Sequence, residues 1–249
     1  MYTPLIALSL AVLATAAPSG KRQVPHYPPT SQSQGFKLIA NVTDPSADLT
    51  PSIKNWVVEG AHTGAGTNVA VLKPFDAATS PGRTFYLNGT AEDVRYGNTN
   101  VLTDGGTPPA PYGIYVQNQT EFEYLYPDEH GVGISVGEGS GTSLTRFPNP
   151  YPYLTSATGT GTFVACNNTV AYYGTKFITL EYAYATFTAP DGSYEYNANI
   201  PEGCAAVNLI PQCTELNELP EDAYSSHEFA AQTACYPDVA AIDWTQYGP

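Results

Sequence analysis

"KFITLEYAYATF", Lys176 to Phe187, is the stretch on which the fold turns. Ile178, Leu180, Tyr182, Tyr184 and Thr186 share one face of this run, and Phe177, Thr179, Glu181, Ala183 and Ala185 share the other. Side chains on a strand alternate with period two, so the first and more apolar set is predicted to face a core. Similar runs recur on both sides of it: "FKLIANV" from Phe36, "IKNWVVEG" from Ile53, "NVAVLK" from Asn68, "RTFYLN" from Arg83 and "YGIYVQN" from Tyr112. "EFEYLY" from Glu121, "VGISVG" from Val132, "TFVACN" from Thr162, "TVAYY" from Thr169 and "AAVNLI" from Ala205 complete the set. Helical periodicity is nearly absent as far as residue 215. The predicted fold is therefore all-β, a single β-sandwich or barrel-like domain of about eleven short strands. Long Pro/Gly loops are expected at "TDGGTPPAP" from Thr103 and "RFPNPYPYLTSATGTGT" from Arg146, since these residues interrupt ladders.

The ends of the chain read differently. The apolar run Leu5 to Leu13, followed by Ala14, Thr15 and Ala16, has the form of a secretory signal peptide over 1–16. Residues 17–22 form a short pro-segment ending in the dibasic pair Lys21 and Arg22, where a second cut is expected. Residues 23–34 read as a flexible segment, 35–215 as the β domain, and 216–249 as a C-terminal extension. In that extension Ser225 and Glu228 have capping-box spacing, which predicts a short helix to about Ala234, with Cys235 tethering it. No segment has the ~20 apolar residues of a membrane span.

Nine Lys and Arg stand against 23 Asp and Glu, a formal charge of −14, or −16 without Lys21 and Arg22. Such a surface repels phosphate backbones and anionic lipid, so neither nucleic acid nor membrane is expected as a partner. Cys166, Cys204, Cys213 and Cys235 are an even set in a chain read as secreted, predicting two disulfides whose pairing the sequence leaves open. Sequons at Asn41, Asn88, Asn118 and Asn167 mark expected glycans and agree with that compartment.

Catalytic patterns are weaker. "GISVG" centres Ser135 in a G-x-S-x-G, but a nucleophile elbow needs a helix after its strand, and "EGSGTSLTRF" has no helical period. His227-Glu228 lacks the second histidine of H-E-x-x-H, because Ala231 occupies that position; His227 is expected to face solvent in the first helical turn. His130, in "PDEHG", reads as a turn residue. Paired carboxylates would suit glycoside hydrolysis, but nothing selects a pair among 23 acids. In "EGAHTGAGTNVAVLK", Gly64 and Gly66 precede a strand and not a helix, so the stretch reads as a turn and not a phosphate loop. His62, near its tip, is a candidate binding residue, as are Tyr151 and Tyr153 in "NPYPYL", because the 19 tyrosines offer rings with polar handles for stacking on sugars. No cofactor or metal is implied.

"SQGFKLIANV", "EGAHTGAGTNVAVL", "FYLNGT", "FVACNNTV", "FITLEY" and "PEGCAAVNLIPQC" occur in this order across most of residues 33 to 215. In these motifs the chain resembles a family of small secreted proteins of filamentous fungi defined by a domain of unknown function. The resemblance implies a β-rich fold and an extracellular or cell-wall location, and it transfers no active-site residue. The expected function is that of a secreted acidic glycoprotein with a structural or interaction role, with cell-wall polysaccharide as the first candidate partner. A secreted hydrolase, either a glycosidase or a serine esterase at Ser135, and a host-directed effector are the alternatives.

Overall fold

The computed structural model describes residues 27–117, 129–137, 139–146, 149–188 and 195–247. The signal peptide, Lys21, Arg22, Asn118 and the "EFEYLY" strand lie outside them. In chain order the strands are β1 (Ser31–Ser33), β2 (Gly35–Val42), β3 (Val57–Gly64), β4 (Thr67–Lys73), β5 (Phe85–Asn88), β6 (Asn100–Gly105), β7 (Ala110–Val116) and β8 (Glu129–Val136). There follow β9 (Thr142–Leu144), β10 (Leu154–Ser156), β11 (Gly161–Val170), β12 (Thr175–Thr188), β13 (Glu195–Ala198), β14 (Cys204–Thr214), β15 (Ala230–Ala231) and β16 (Thr233–Cys235). The molecule is all-β, as predicted.

The pairings close the main sheet on itself. The path β5–β2–β14–β11–β12–β8–β7–β6 returns to β5 through antiparallel ladders at every step. The β3–β4 hairpin occupies the remaining span, with β3 against β2 and β4 against both β8 and β12. Closure satisfies backbone groups that an open edge would leave unpaired, so the barrel-like alternative is the one realised. β12, which contains the quoted run, carries this closure: one edge pairs with β11 from Thr175 to Tyr184, and the other meets β4, β8 and β13 in succession.

Period two decides which side chains are inside. Phe36, Leu38 and Ala40 of β2, Leu180 and Tyr182 of β12, and Ala205, Val207 and Leu209 of β14 all join one buried cluster, with Ile178 and Tyr184 packed at its margin. The face predicted for β12 is thus the core face. β2 and β14 are covered on their outer side as well, where Ile39 and Ile210 pack with Val57, Tyr236 and Val239 beneath Tyr151, Tyr153 and Trp244. The C-terminal extension is therefore a second layer laid on the barrel wall.

Two corrections concern that extension and a turn. The helix expected from Ser225 is not formed; the chain instead makes β15 against β5 and β16 against β1. A helix of this length would bury little apolar surface, whereas extension gives the edges of β1 and β5 a backbone partner. The one α-helix among the described residues, α1 (Ala91–Tyr96), does use a capping box, between Thr90 and Asp93, and ends at Gly97 in the left-handed region. The "TDGGTPPAP" stretch is a tight β6–β7 hairpin and not a long loop, with Gly105 opposite Ala110.

Candidate functional site

The β11–β12 hairpin turns over Ala171 to Gly174. The Val170 carbonyl accepts from the amides of Tyr173 and Gly174, both at 3.0 Å, and Gly174 supplies the positive φ of 64° that the turn requires. So tight a turn leaves its side chains nothing to pack under, and Tyr172 and Tyr173 are 60% and 43% exposed. Their rings form a chain: Tyr172 to Tyr173 at 5.1 Å and Tyr173 to Phe177 at 5.2 Å between centroids. His62 on the neighbouring β3 meets Tyr172 edge-on at 5.8 Å.

Beside these rings lies a cavity of about 1050 Å³, lined by Thr63, Gln117, Asn168, Tyr172, Thr179, Glu181 and Glu202, among others. Its polar floor is ordered by hydrogen bonds along β12 and across to β11. Thr179 Oγ1 donates to Glu181 Oε1 at 2.8 Å, and Asn168 Nδ2 donates to Thr179 Oγ1 at 3.1 Å and to Glu181 Oε1 at 3.3 Å. The Tyr172 ring beside amide, hydroxyl and carboxylate groups is a combination suited to sugars, whose faces are apolar and whose edges donate and accept hydrogen bonds. His62 was legible as a candidate. Tyr172 and Tyr173 read as strand residues in "TVAYY" but sit in the turn, and aromatics directly before a turn glycine in "AYYGT" are the signal for it.

A second depression lies on the outer face of β2 and β14. Asn41 and Asn208 stand opposite each other in that ladder, and the rings of Tyr151 and Trp244 approach to 5.2 Å beside them. The space is about 460 Å³ and is also lined by Tyr27, Pro150 and Tyr247. Asn208 Nδ2 donates to the Tyr151 hydroxyl at 2.9 Å. Burial raises the Tyr151 hydroxyl's pKa, partly offset by that bond, and burial raises Tyr153 as well. Tyr151 and Tyr153 do not form the free loop platform read from "NPYPYL": both are half-buried, packed on the Ile39–Ile210 cluster.

The remaining candidates separate. Ser135 lies on β8, where its hydroxyl shares a 3.2 Å hydrogen bond with that of Tyr115, and β8 leads into no helix. His130 is in β8 and not in a turn; its Nδ1 is 2.7 Å from the Gln117 carbonyl and its ring is 4.5 Å from Tyr184. His227, expected in solvent, is largely buried, with Nε2 2.9 Å from Asp104 Oδ2 and its ring against Tyr86 at 4.8 Å. The strand β15 draws it down onto β5 and β6. Among the described residues no three His, Cys, Asp or Glu side chains are grouped to hold a metal ion.

The disulfides are Cys166–Cys204 and Cys213–Cys235. Cys166 and Cys204 are direct partners in the β11–β14 ladder with Cα atoms 4.4 Å apart, the close spacing of a non-hydrogen-bonded antiparallel pair. Of the described sequons, Asn167 is exposed on β11, while Asn41 and Asn88 are partly exposed on β2 and β5.

No solved structure matches the chain. The chain is 48% identical over 238 residues to "Antigenic protein SchS34" of Stachybotrys chartarum, an alignment covering 94% of this chain and all of that protein. The model for a domain of unknown function, DUF7907, matches residues 33–213, the closed sheet from β2 to β14. The chain belongs to that family.

Proposed function

We propose that the protein is a secreted acidic glycoprotein of the fungal surface or medium that binds cell-wall polysaccharide through the cavity under the β11–β12 turn. The observation that carries this reading is the chain of rings His62, Tyr172, Tyr173 and Phe177, the first three of them exposed, that reaches a polar-floored cavity at Tyr172. Exposed aromatics in a row cost solvation unless a partner covers them, and sugar rings cover such faces while leaving their hydroxyls to the polar floor. The two disulfides support an oxidising compartment, and the relative's name, antigenic protein, supports a location outside the producing cell. Retention on insoluble glucan, chitin or mannan tests it. The Tyr172→Ala, Tyr173→Ala double variant should lose retention on whichever polysaccharide binds the parent, and unchanged retention would move the site elsewhere.

Glu181 and Glu202 line the same cavity, and this favours a second reading as a glycoside hydrolase. Release of soluble oligosaccharide from the bound polymer, abolished by Glu181→Gln, would establish it. Release that survives this substitution would place the hydrolysis outside Glu181, and no release at all leaves binding as the activity.

A further inference from the structure

We propose that Asn41 carries an N-linked glycan whose first sugars fold back into the depression walled by Tyr151 and Trp244, as a built-in ligand of the barrel wall. The inference rests on the secretory reading above. Asn41-Val42-Thr43 meets the sequon rule. The attachment residue is itself part of the lining of this space, and its cross-strand partner Asn208 is the residue that donates to Tyr151. A glycan linked here therefore starts inside the depression, with no translational freedom left to lose, and two aromatic rings stand at its first step. The volume, about 460 Å³, lies in the range of small-ligand sites, roughly 300–1,000 Å³.

In the transfer itself, Asn41 Nδ2 forms a bond to the anomeric carbon of a polyprenyl-pyrophosphate-linked oligosaccharide. The bond from that carbon to the pyrophosphate oxygen breaks, the pyrophosphate leaves, and one amide proton is released, with no change of oxidation state. Docking follows when β2 meets β14 and the extension carrying Trp244 closes over them. Asn167, exposed on β11 and not part of the lining of this space, is the internal control.

The experiment uses full-length protein secreted from a fungal host. Glycopeptide mapping should find both Asn41 and Asn167 occupied. Endoglycosidase treatment of the native protein should then release the Asn41 glycan about tenfold more slowly than the Asn167 glycan, the factor given by a docking preference of about 1.4 kcal/mol, and the rates should converge after denaturation. Trp56 and Trp244 are the two tryptophans, so in a Trp56→Phe background iodide quenching reports Trp244 alone and should rise once the Asn41 glycan is removed from the folded protein. Trimming the folded protein avoids dependence on an Asn41→Gln variant that fails to fold. Asn167 occupied with Asn41 bare would overturn the inference alone, whereas both bare would overturn the secretory reading with it. Equal native release rates with unchanged quenching would show a glycan that is attached but undocked, which also overturns the proposal.

Discussion

At the scale of single residues, Tyr236 shows how the second layer spends stability. Its side chain is 1% exposed, and its buried hydroxyl has no hydrogen-bond partner among the described residues. Burial pushes its pKa up to about 12, and burial does the same to Tyr182. The native state therefore keeps these protons where an unfolded chain, titrating near the ordinary value of 10, has released them. Stability should be complete below pH 10 and fall as the pH rises from 10 toward 12. Tyr236→Phe should flatten that alkaline loss and raise stability at neutral pH by about 1 kcal/mol, because an unsatisfied hydroxyl costs roughly 1–3 kcal/mol. Urea midpoints at pH 7 and pH 11 check both effects, and a variant less stable at pH 7 would show that the hydroxyl has a partner after all. The sites were only partly legible at this scale. His62 was readable because a histidine beside Gly64 and Gly66 announces a turn. Trp244 and the burial of His227 were not, since both depend on where the extension lands on β2, β5 and β6.

Elements were legible to the extent that their signals are local. Alternation in β12 is written into consecutive residues, so its core face followed from sequence. The Ser225–Glu228 capping signature is just as local but misled, because the unpaired edges of β1 and β5 lie far away in the chain and outbid it. The disulfide pairing was unreadable for the same reason: it follows from the register that sets Cys166 opposite Cys204. Two predictions belong here. A Cβ on Gly161, at the start of β11, would collide with the Ala183 carbonyl of β12. Gly161→Ala should therefore destabilise by about 1–3 kcal/mol, as overpacking does, and a thermal melt of the variant checks it. Replacing Cys213 and Cys235 together by Ala should cost about 2–4 kcal/mol. Hydrogen exchange should then accelerate first at Ser31–Ser33 and Thr233–Cys235, while the β11–β12 ladder stays protected; loss of protection throughout would mean that the small sheet and the barrel open as one unit.

The whole molecule sets a strong negative charge around the proposed binding region, which is built from rings. If stacking and neutral hydrogen bonds hold a neutral polysaccharide, retention should change little between low salt and 1 M salt, where the Debye length falls to ~3 Å. Salt-eluted binding would assign the contact to charge instead. Barrel closure is the property least visible in sequence, because it joins segments by pairings such as Gly35 with Thr214 and Phe36 with Phe85. Those same pairings fix a timetable for biosynthesis. β2 leaves the ribosome with β3 as its early neighbour, and must then wait for β14 until nearly the whole chain has been made, on the order of tens of seconds at ~5–20 residues per second. During that delay one edge of the first long strand stands open, so a chaperone that shields nascent β edges is the assistance this topology most requires.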